Sequence, residues 1–109
     1  MMSGFSRRLG ELTPHQVSAV KASLRAAAEG PFFPDWEFQT LFGVERDLVG
    51  RLSHDLHDTT VAESDKECAV MNTLAHLLGY PHGRDTDLLT YVPDGREELA
   101  LIAAQLREP

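Results

Sequence analysis

The chain has 109 residues, 42% of them hydrophobic and 25% charged, and its formal charge is −7. This length and composition predict one soluble domain over residues 1–109 with a single hydrophobic core, and they disfavour a large preformed active-site cavity. A single cysteine, Cys68, excludes an intrachain disulfide, and the lack of a signal-peptide pattern or a long apolar stretch predicts a cytoplasmic protein without a membrane partner.

The first predicted helix starts at a capping box. Residues 1–12 precede this pattern, and we expect them to form a flexible N-terminal arm. Thr13 supplies a cap oxygen, Pro14 takes the first helical position, and Gln16 completes the box. Apolar residues then recur at helical spacing as far as a Gly-Pro pair, which predicts a helix over residues 14–29.

Two more helices are predicted on either side of Gly43. Asp35 can cap a short helix that runs through aromatic residues to Phe42, and Gly43 fits a left-handed stop. Apolar positions then predict a third helix over about 45–56. A glycine in its interior, Gly50, indicates either a close helix crossing or a weak helix.

The fourth predicted helix, over about 65–78, has the widest apolar surface. A polar loop over 57–63 leads to its capping box at 64–67, and its apolar positions cover more than half of the circumference. We therefore expect it to be the central buried helix, with Cys68 on its apolar stripe.

A long connector is predicted to follow this central helix and to end at Pro93. Within the connector, residues 88–92 could be extended, although no partner strand is predicted for them. A last helix starts at a capping box opened by Asp94. The predicted fold class is all-α, a compact bundle of about five helices packed around the helix at 65–78.

Charge is distributed unevenly along the chain. Residues 1–34 carry four basic and two acidic side chains, and residues 35–109 carry six basic and fifteen acidic ones, so their charges are +2 and −9. If the acidic loops lie on one side, they form a surface that repels nucleic acid and attracts a basic protein. Aromatic residues beside prolines could add a hydrophobic anchor to that surface. The predicted partner-binding residues are Phe33, Trp36, Asp55, Asp58, Glu63, Asp85 and Asp87.

Other kinds of site match the sequence less well. Residues 38–56 resemble a helix-turn-helix, but acidic residues flank Arg46 at the start of its second helix, where DNA binding needs basic residues. His54 and His57 could share a helix face toward a divalent metal, but no three-ligand spacing accompanies them, so no metal site is predicted. Without a phosphate-binding glycine loop or a nucleophile elbow, the sequence does not favour an enzyme, and we expect no cofactor.

The size, acidity and lack of catalytic motifs resemble those of bacterial immunity and antitoxin proteins, which neutralise a toxin by covering its active site. The segments 33–43 (FPDWEFQTLFG) and 80–83 (YPHG) are also similar to segments of small acidic helical bacterial proteins. The resemblance in size, acidity and lack of catalytic motifs implies a protein-binding domain that inhibits a basic partner, whereas the similar segments imply no particular activity. The alternatives are a helix-turn-helix regulator that uses residues 38–56, or a homo-oligomer subunit whose exposed aromatic residues meet across a two-fold axis.

Overall fold

The computed structural model describes residues 4–30, 33, 38, 43–79, 85–93 and 95–107. These residues form six helices and no strand, which confirms the all-α fold class. The helices are α1 (Gly4–Gly10), α2 (Pro14–Glu29), α3 (Arg46–His54), α4 (Glu63–Gly79), α5 (Asp85–Tyr91) and α6 (Gly95–Arg107).

Two helices share the centre of the bundle. The predicted central helix, α4, packs against α1, α2, α3 and α6, and α2 packs against α3, α4, α5 and α6. Val70, Leu74 and Leu77 form the buried stripe of α4 at helical spacing. Their burial gives the bundle one continuous core, and each fully buried large apolar side chain contributes roughly 1.5–3 kcal/mol.

The first predicted helix is confirmed over its whole length as α2. The Thr13 hydroxyl accepts a hydrogen bond from the Gln16 backbone N–H at 3.1 Å, and the Gln16 side chain accepts one from the Thr13 backbone N–H at 3.0 Å. This reciprocal box satisfies two backbone donors at the helix start, which is why the sequence pattern located it correctly.

The third predicted helix is shorter than expected, since α3 ends at His54, where the backbone N–H of Asp55 donates to the carbonyl of Arg51. A Cβ added at Gly50 would lie 3.9 Å from the Cβ of Ala28, so α2 and α3 cross closely at this glycine. The short helix predicted over 35–42 lies outside the described residues, except for Phe38, which is buried.

The expected N-terminal arm and the predicted connector before Pro93 both contain a helix that was not predicted. In the expected N-terminal arm, residues 4–10 form α1 and bury Phe5 and Leu9. In the connector, where residues 88–92 could have been extended, residues 85–91 instead form α5, which buries Leu88. A helix forms its backbone hydrogen bonds internally, whereas a single strand would leave its backbone groups unpaired.

The predicted burial of Cys68 is wrong. Cys68 is exposed, and the neighbouring Lys66 is buried instead, with 6% of its surface exposed. The buried stripe of α4 runs through Ala69, Val70 and Thr73, so Cys68 falls on the solvent side of it. The burial of Lys66 is compatible with its charge, because a lysine can bury its aliphatic stem along a core and keep its ammonium at the surface.

The C-terminal end of α2 is capped by an arginine from α3. The last carbonyls of a helix have no partner within the helix and need donors from elsewhere. The Arg46 guanidinium donates to the carbonyls of Ala27 at 3.3 Å and Ala28 at 2.8 Å, both in the last turn of α2. It also donates to the carbonyl of Phe33 at 3.0 Å and lies 4.3 Å from the centroid of the Phe38 ring.

Two other helices also have C-terminal ends that are capped by an arginine from another helix. The Arg96 guanidinium, at the start of α6, donates to the carbonyls of Leu77 and Leu78 in the last turn of α4. The Arg8 guanidinium, on α1, donates to the carbonyl of Leu106 in the last turn of α6. Each arginine places positive charge where the helix dipole favours it and joins two helices at a fixed point.

Replacing Arg46 by methionine tests the cap on α2. We expect Arg46→Met to lower the free energy of unfolding by about 2–3 kcal/mol. The reason is that partly buried backbone carbonyls lose the charged guanidinium group that donates hydrogen bonds to them. Urea denaturation measures this loss. Arg51→Met, on the exposed side of the same helix, is the matched control and should cost less than about 1 kcal/mol. Equal losses in the two variants would show that Arg46 does not act as a cap.

Candidate partner-binding surface

Two of the predicted carboxylates lie together in the connection between α3 and α4, residues 55–61, which we name the acidic turn. The Asp55 carboxylate accepts a hydrogen bond from the backbone N–H of His57 at 3.1 Å. Three residues later, the Asp58 carboxylate accepts from the backbone N–H of Thr60 at 2.8 Å and from its hydroxyl at 2.6 Å. Aspartates commonly close turns in this way, and here two such turns follow one another.

The acidic turn is fixed to the protein from two sides. Leu56 and Val61 are buried in the core, with 1% and 7% of their surfaces exposed. On the outer side, the Arg51 guanidinium donates to the Thr60 hydroxyl at 2.8 Å and lies 3.5 Å from the Asp58 carboxylate. These anchors and contacts hold the acidic turn, and with it both carboxylates, in one defined arrangement.

Asp58 is held in its ionised form by this arrangement. The hydrogen bond from the Thr60 hydroxyl is the largest cause that lowers the pKa of Asp58 below its ordinary value of 3.8, followed by the one from the Thr60 backbone. Slight desolvation opposes the change, and the positive charge of Arg51 adds to the lowering of the pKa. The acidic turn thus keeps this negative charge at all pH values above the ordinary pKa of a carboxyl group.

Glu63 stands at the start of α4, next to the acidic turn. Its carboxylate accepts a hydrogen bond from the Ser6 hydroxyl, so it joins α1 to α4. Its position in the first turn of α4 also suits its charge, since the N-terminal end of a helix is partially positive. Glu63 therefore has a structural contact in addition to the partner-binding role predicted for it.

The remaining predicted residues belong to another helix, are buried, or lie outside the described residues. Asp85 and Asp87 belong to α5, which packs against α2, whereas the acidic turn connects α3 to α4. Phe33 is buried, with 5% of its surface exposed and its ring edge-on to His76, so its predicted place as an exposed anchor is wrong. Trp36 lies outside the described residues. The structure thus brings together Asp55 and Asp58, with Glu63 beside them.

The structure gives little support to the DNA-binding, metal-binding and homo-oligomer alternatives. Arg46, which a DNA-binding helix would direct to a phosphate, is engaged by three backbone carbonyls. Among the described residues, no three histidine, cysteine, aspartate or glutamate side chains are close enough to hold a metal ion. Phe33 and Phe38 are both buried, so neither supplies the exposed aromatic contact that the homo-oligomer hypothesis needs.

A basic cleft of about 320 Å³ between α2 and α3 was missed by the sequence interpretation. Its described lining residues are Ser18, Lys21, Ala22, Arg25, Ser53 and His54. Lys21 and Arg25 are four residues apart in the first predicted helix, and this spacing already places them on one face. The position of His54 beside them depends on how α3 packs against α2, which no local sequence pattern predicts.

The Thr60 hydroxyl can be tested directly as the cause of the low pKa. In Thr60→Val, we expect an NMR titration to show that the pKa of Asp58 moves up toward 3.8, because the hydroxyl donor is removed. Thr59→Val, in which the exposed neighbouring threonine changes, should leave the pKa of Asp58 unaltered. The same pKa in all three proteins would contradict the assignment.

A stability measurement follows from the same interaction. Folding lowers the pKa of Asp58, so its ionised form stabilises the folded state above the ordinary pKa, and this contribution is lost as pH falls through the lowered pKa. The free energy of unfolding of wild type should therefore exceed that of Thr60→Val at neutral pH, with the difference shrinking as the pH is lowered through that range.

Searches for related proteins yield no assignment. Comparison of the chain with models of known protein families, with curated proteins and with solved structures found no match. Within the described helices, none combines the length and the apolar character that crossing a membrane requires.

Proposed function

We propose that this protein is a protein-binding domain that docks a basic partner on its acidic turn. The observation that carries the proposal is the double aspartate turn itself, in which hydrogen bonds hold Asp55 and Asp58 while the buried side chains of Leu56 and Val61 anchor the turn to the core. Loops of a folded domain are common sites of recognition when a rigid scaffold positions them.

Preorganisation makes such a turn suited to binding. A flexible acidic loop loses conformational freedom when it meets a partner, at a cost of about 0.5–1.5 kcal/mol for each side chain that becomes fixed. In the acidic turn, the aspartate side chains are already held by hydrogen bonds in the folded protein, so most of this freedom is lost before binding. The low pKa of Asp58 adds a permanent charge, and Asp65 and Glu67, both exposed near the start of α4, extend the acidic region.

The charge pattern also suggests how the partner is found. Exposed carboxylates attract a basic surface over a distance of about 8–10 Å at moderate ionic strength, which mainly raises the association rate. Because Arg51 and Thr60 already bind Asp58, the exposed Asp55 carboxylate is the more accessible of the two for a partner's lysine or arginine. Association is therefore expected to be faster at low salt.

The more specific proposal is an inhibitor of the immunity or antitoxin type. In that case the carboxylates of Asp55 and Asp58 occupy the places where a basic active site binds phosphate oxygens. The chain's formal charge of −7 and the resemblance of its size and acidity to those inhibitors support this proposal. It would be expressed together with the enzyme that it blocks.

Replacing the aspartates of the acidic turn by asparagine tests the effect of their charge while keeping the shape of the turn. Asparagine closes the same turn as aspartate, since its side-chain carbonyl accepts the same backbone hydrogen bond. We expect the double variant Asp55→Asn/Asp58→Asn to keep the fold by circular dichroism and to bind the partner with an association rate lowered several-fold and a weaker dependence on salt. The partner is first captured from the source organism by cross-linking, and binding is then measured with purified proteins.

A charge-matched variant is the control for this experiment. Glu11→Gln/Glu29→Gln removes the same two charges from exposed positions at the ends of α1 and α2. It should leave the association rate within about twofold of wild type, as expected for charges remote from the interface. If both double variants slow binding equally, or if neither does, the acidic turn is not the docking site.

A further inference from the structure

Four of the described arginine side chains already have a structural task. Arg8, Arg46 and Arg96 cap helix ends, and Arg51 faces Asp58 and Thr60 in the acidic turn. Each of these guanidinium groups has its donors directed at protein oxygens. They are therefore poorly placed to bind an added ligand.

Lys21 and Arg25 differ from those arginines. On α2 they line the basic cleft, and neither side chain makes a hydrogen bond or ion pair with the part of the chain that is described. His54, the last residue of α3, lines the cleft from the opposite side and likewise makes none. No carboxylate is found among the described lining residues.

This grouping is notable in a chain with a formal charge of −7. Like charges that share a cleft repel one another, and a cleft lined by one sign of charge concentrates counter-ions from solution. Ser18 is exposed on the same wall and can donate a neutral hydrogen bond. The cleft thus offers two fixed positive charges, an imidazole and a hydroxyl to an anionic group.

An apolar cleft of about 290 Å³ adjoins the basic one along α2. The two clefts share Ser18 and Ala22, and the apolar one extends to His15 and Ala19 on α2 and to Val92 and Pro93 after α5. A ligand lying along this face of α2 would meet positive charge at one end and apolar side chains at the other.

We propose that these adjoining clefts bind a small organic anion, with its phosphate or similar head group between Lys21, Arg25 and His54 and its apolar part against Ala22 and Val92. The volumes suit this class of ligand, since small-molecule sites usually occupy about 300–1,000 Å³. A planar guanidinium such as that of Arg25 can donate two parallel hydrogen bonds to a phosphate group. The site is independent of the acidic turn and of the partner proposed for it.

Hexyl phosphate is a suitable probe because it combines both chemical features. In NMR titrations of the full chain, we expect hexyl phosphate to shift the amide signals around Lys21, Arg25 and His54, with a dissociation constant at least about tenfold below that of inorganic phosphate. Hexanol, which lacks the charge, should shift these signals weakly. Equal affinities for hexyl phosphate and inorganic phosphate would contradict the role of the apolar cleft.

Two double variants test the basic cleft. Lys21→Gln/Arg25→Gln should weaken hexyl phosphate binding at least about tenfold, because two charge-assisted hydrogen bonds are lost. Arg7→Gln/Arg107→Gln removes the same charge from exposed positions on α1 and α6 and should keep the wild-type affinity. Equal weakening in both double variants, or in neither, would overturn the proposed site, and thermal unfolding of each variant verifies that it is folded.

A phosphate head group with an apolar chain also occurs at the surface of a membrane. Co-sedimentation with vesicles that contain phosphatidic acid distinguishes that source from a soluble ligand. We expect no sedimentation, because the net negative charge of the protein repels an anionic surface. Vesicle binding that Lys21→Gln/Arg25→Gln abolishes would overturn the assignment to a soluble ligand.

Discussion

The capping of helix C-termini by arginines from other helices is the interaction on which the rest of the bundle depends. Apolar burial draws the helices together but has no preferred direction, so it does not by itself set which residues face one another. Arg46 fixes α3 to the end of α2, Arg96 fixes α6 to the end of α4, and Arg8 fixes α1 to the end of α6. Because each cap satisfies carbonyls that otherwise lack partners, a shifted packing would lose these hydrogen bonds.

Local patterns in the sequence located some elements well. The capping box at Thr13 located the start of α2, the Gly-Pro pair after Glu29 located its end, and the spacing of Val70, Leu74 and Leu77 identified the buried stripe of α4. Predictions failed where the deciding contact is distant in sequence. The cap between Arg8 and Leu106 joins opposite ends of the chain, so nothing near residue 8 indicates that α1 is anchored.

In the candidate sites too, the sequence shows which residues are present, whereas their arrangement depends on contacts between distant parts of the chain. The acidity of residues 55–58 is evident in the sequence, but the order of the acidic turn depends on Leu56 and Val61 reaching the core. The basic cleft depends on the close crossing of α2 and α3, which places His54 across from Lys21. Since Asp55 directly follows His54, the end of α3 separates a negative surface from a positive cleft. One packed helix therefore positions both proposed sites.

An arginine-to-lysine series, followed by urea denaturation, tests most directly whether arginine caps hold the fold. Lysine keeps the charge but replaces a planar fork with a single flexible ammonium, which cannot reach two carbonyls in the same manner. We expect Arg8→Lys, Arg46→Lys and Arg96→Lys each to lower the free energy of unfolding by about 1–2 kcal/mol. The exposed controls Arg7→Lys and Arg107→Lys should stay within about 0.5 kcal/mol of wild type. If the capping variants also stay within that range, the caps do not hold the helices together.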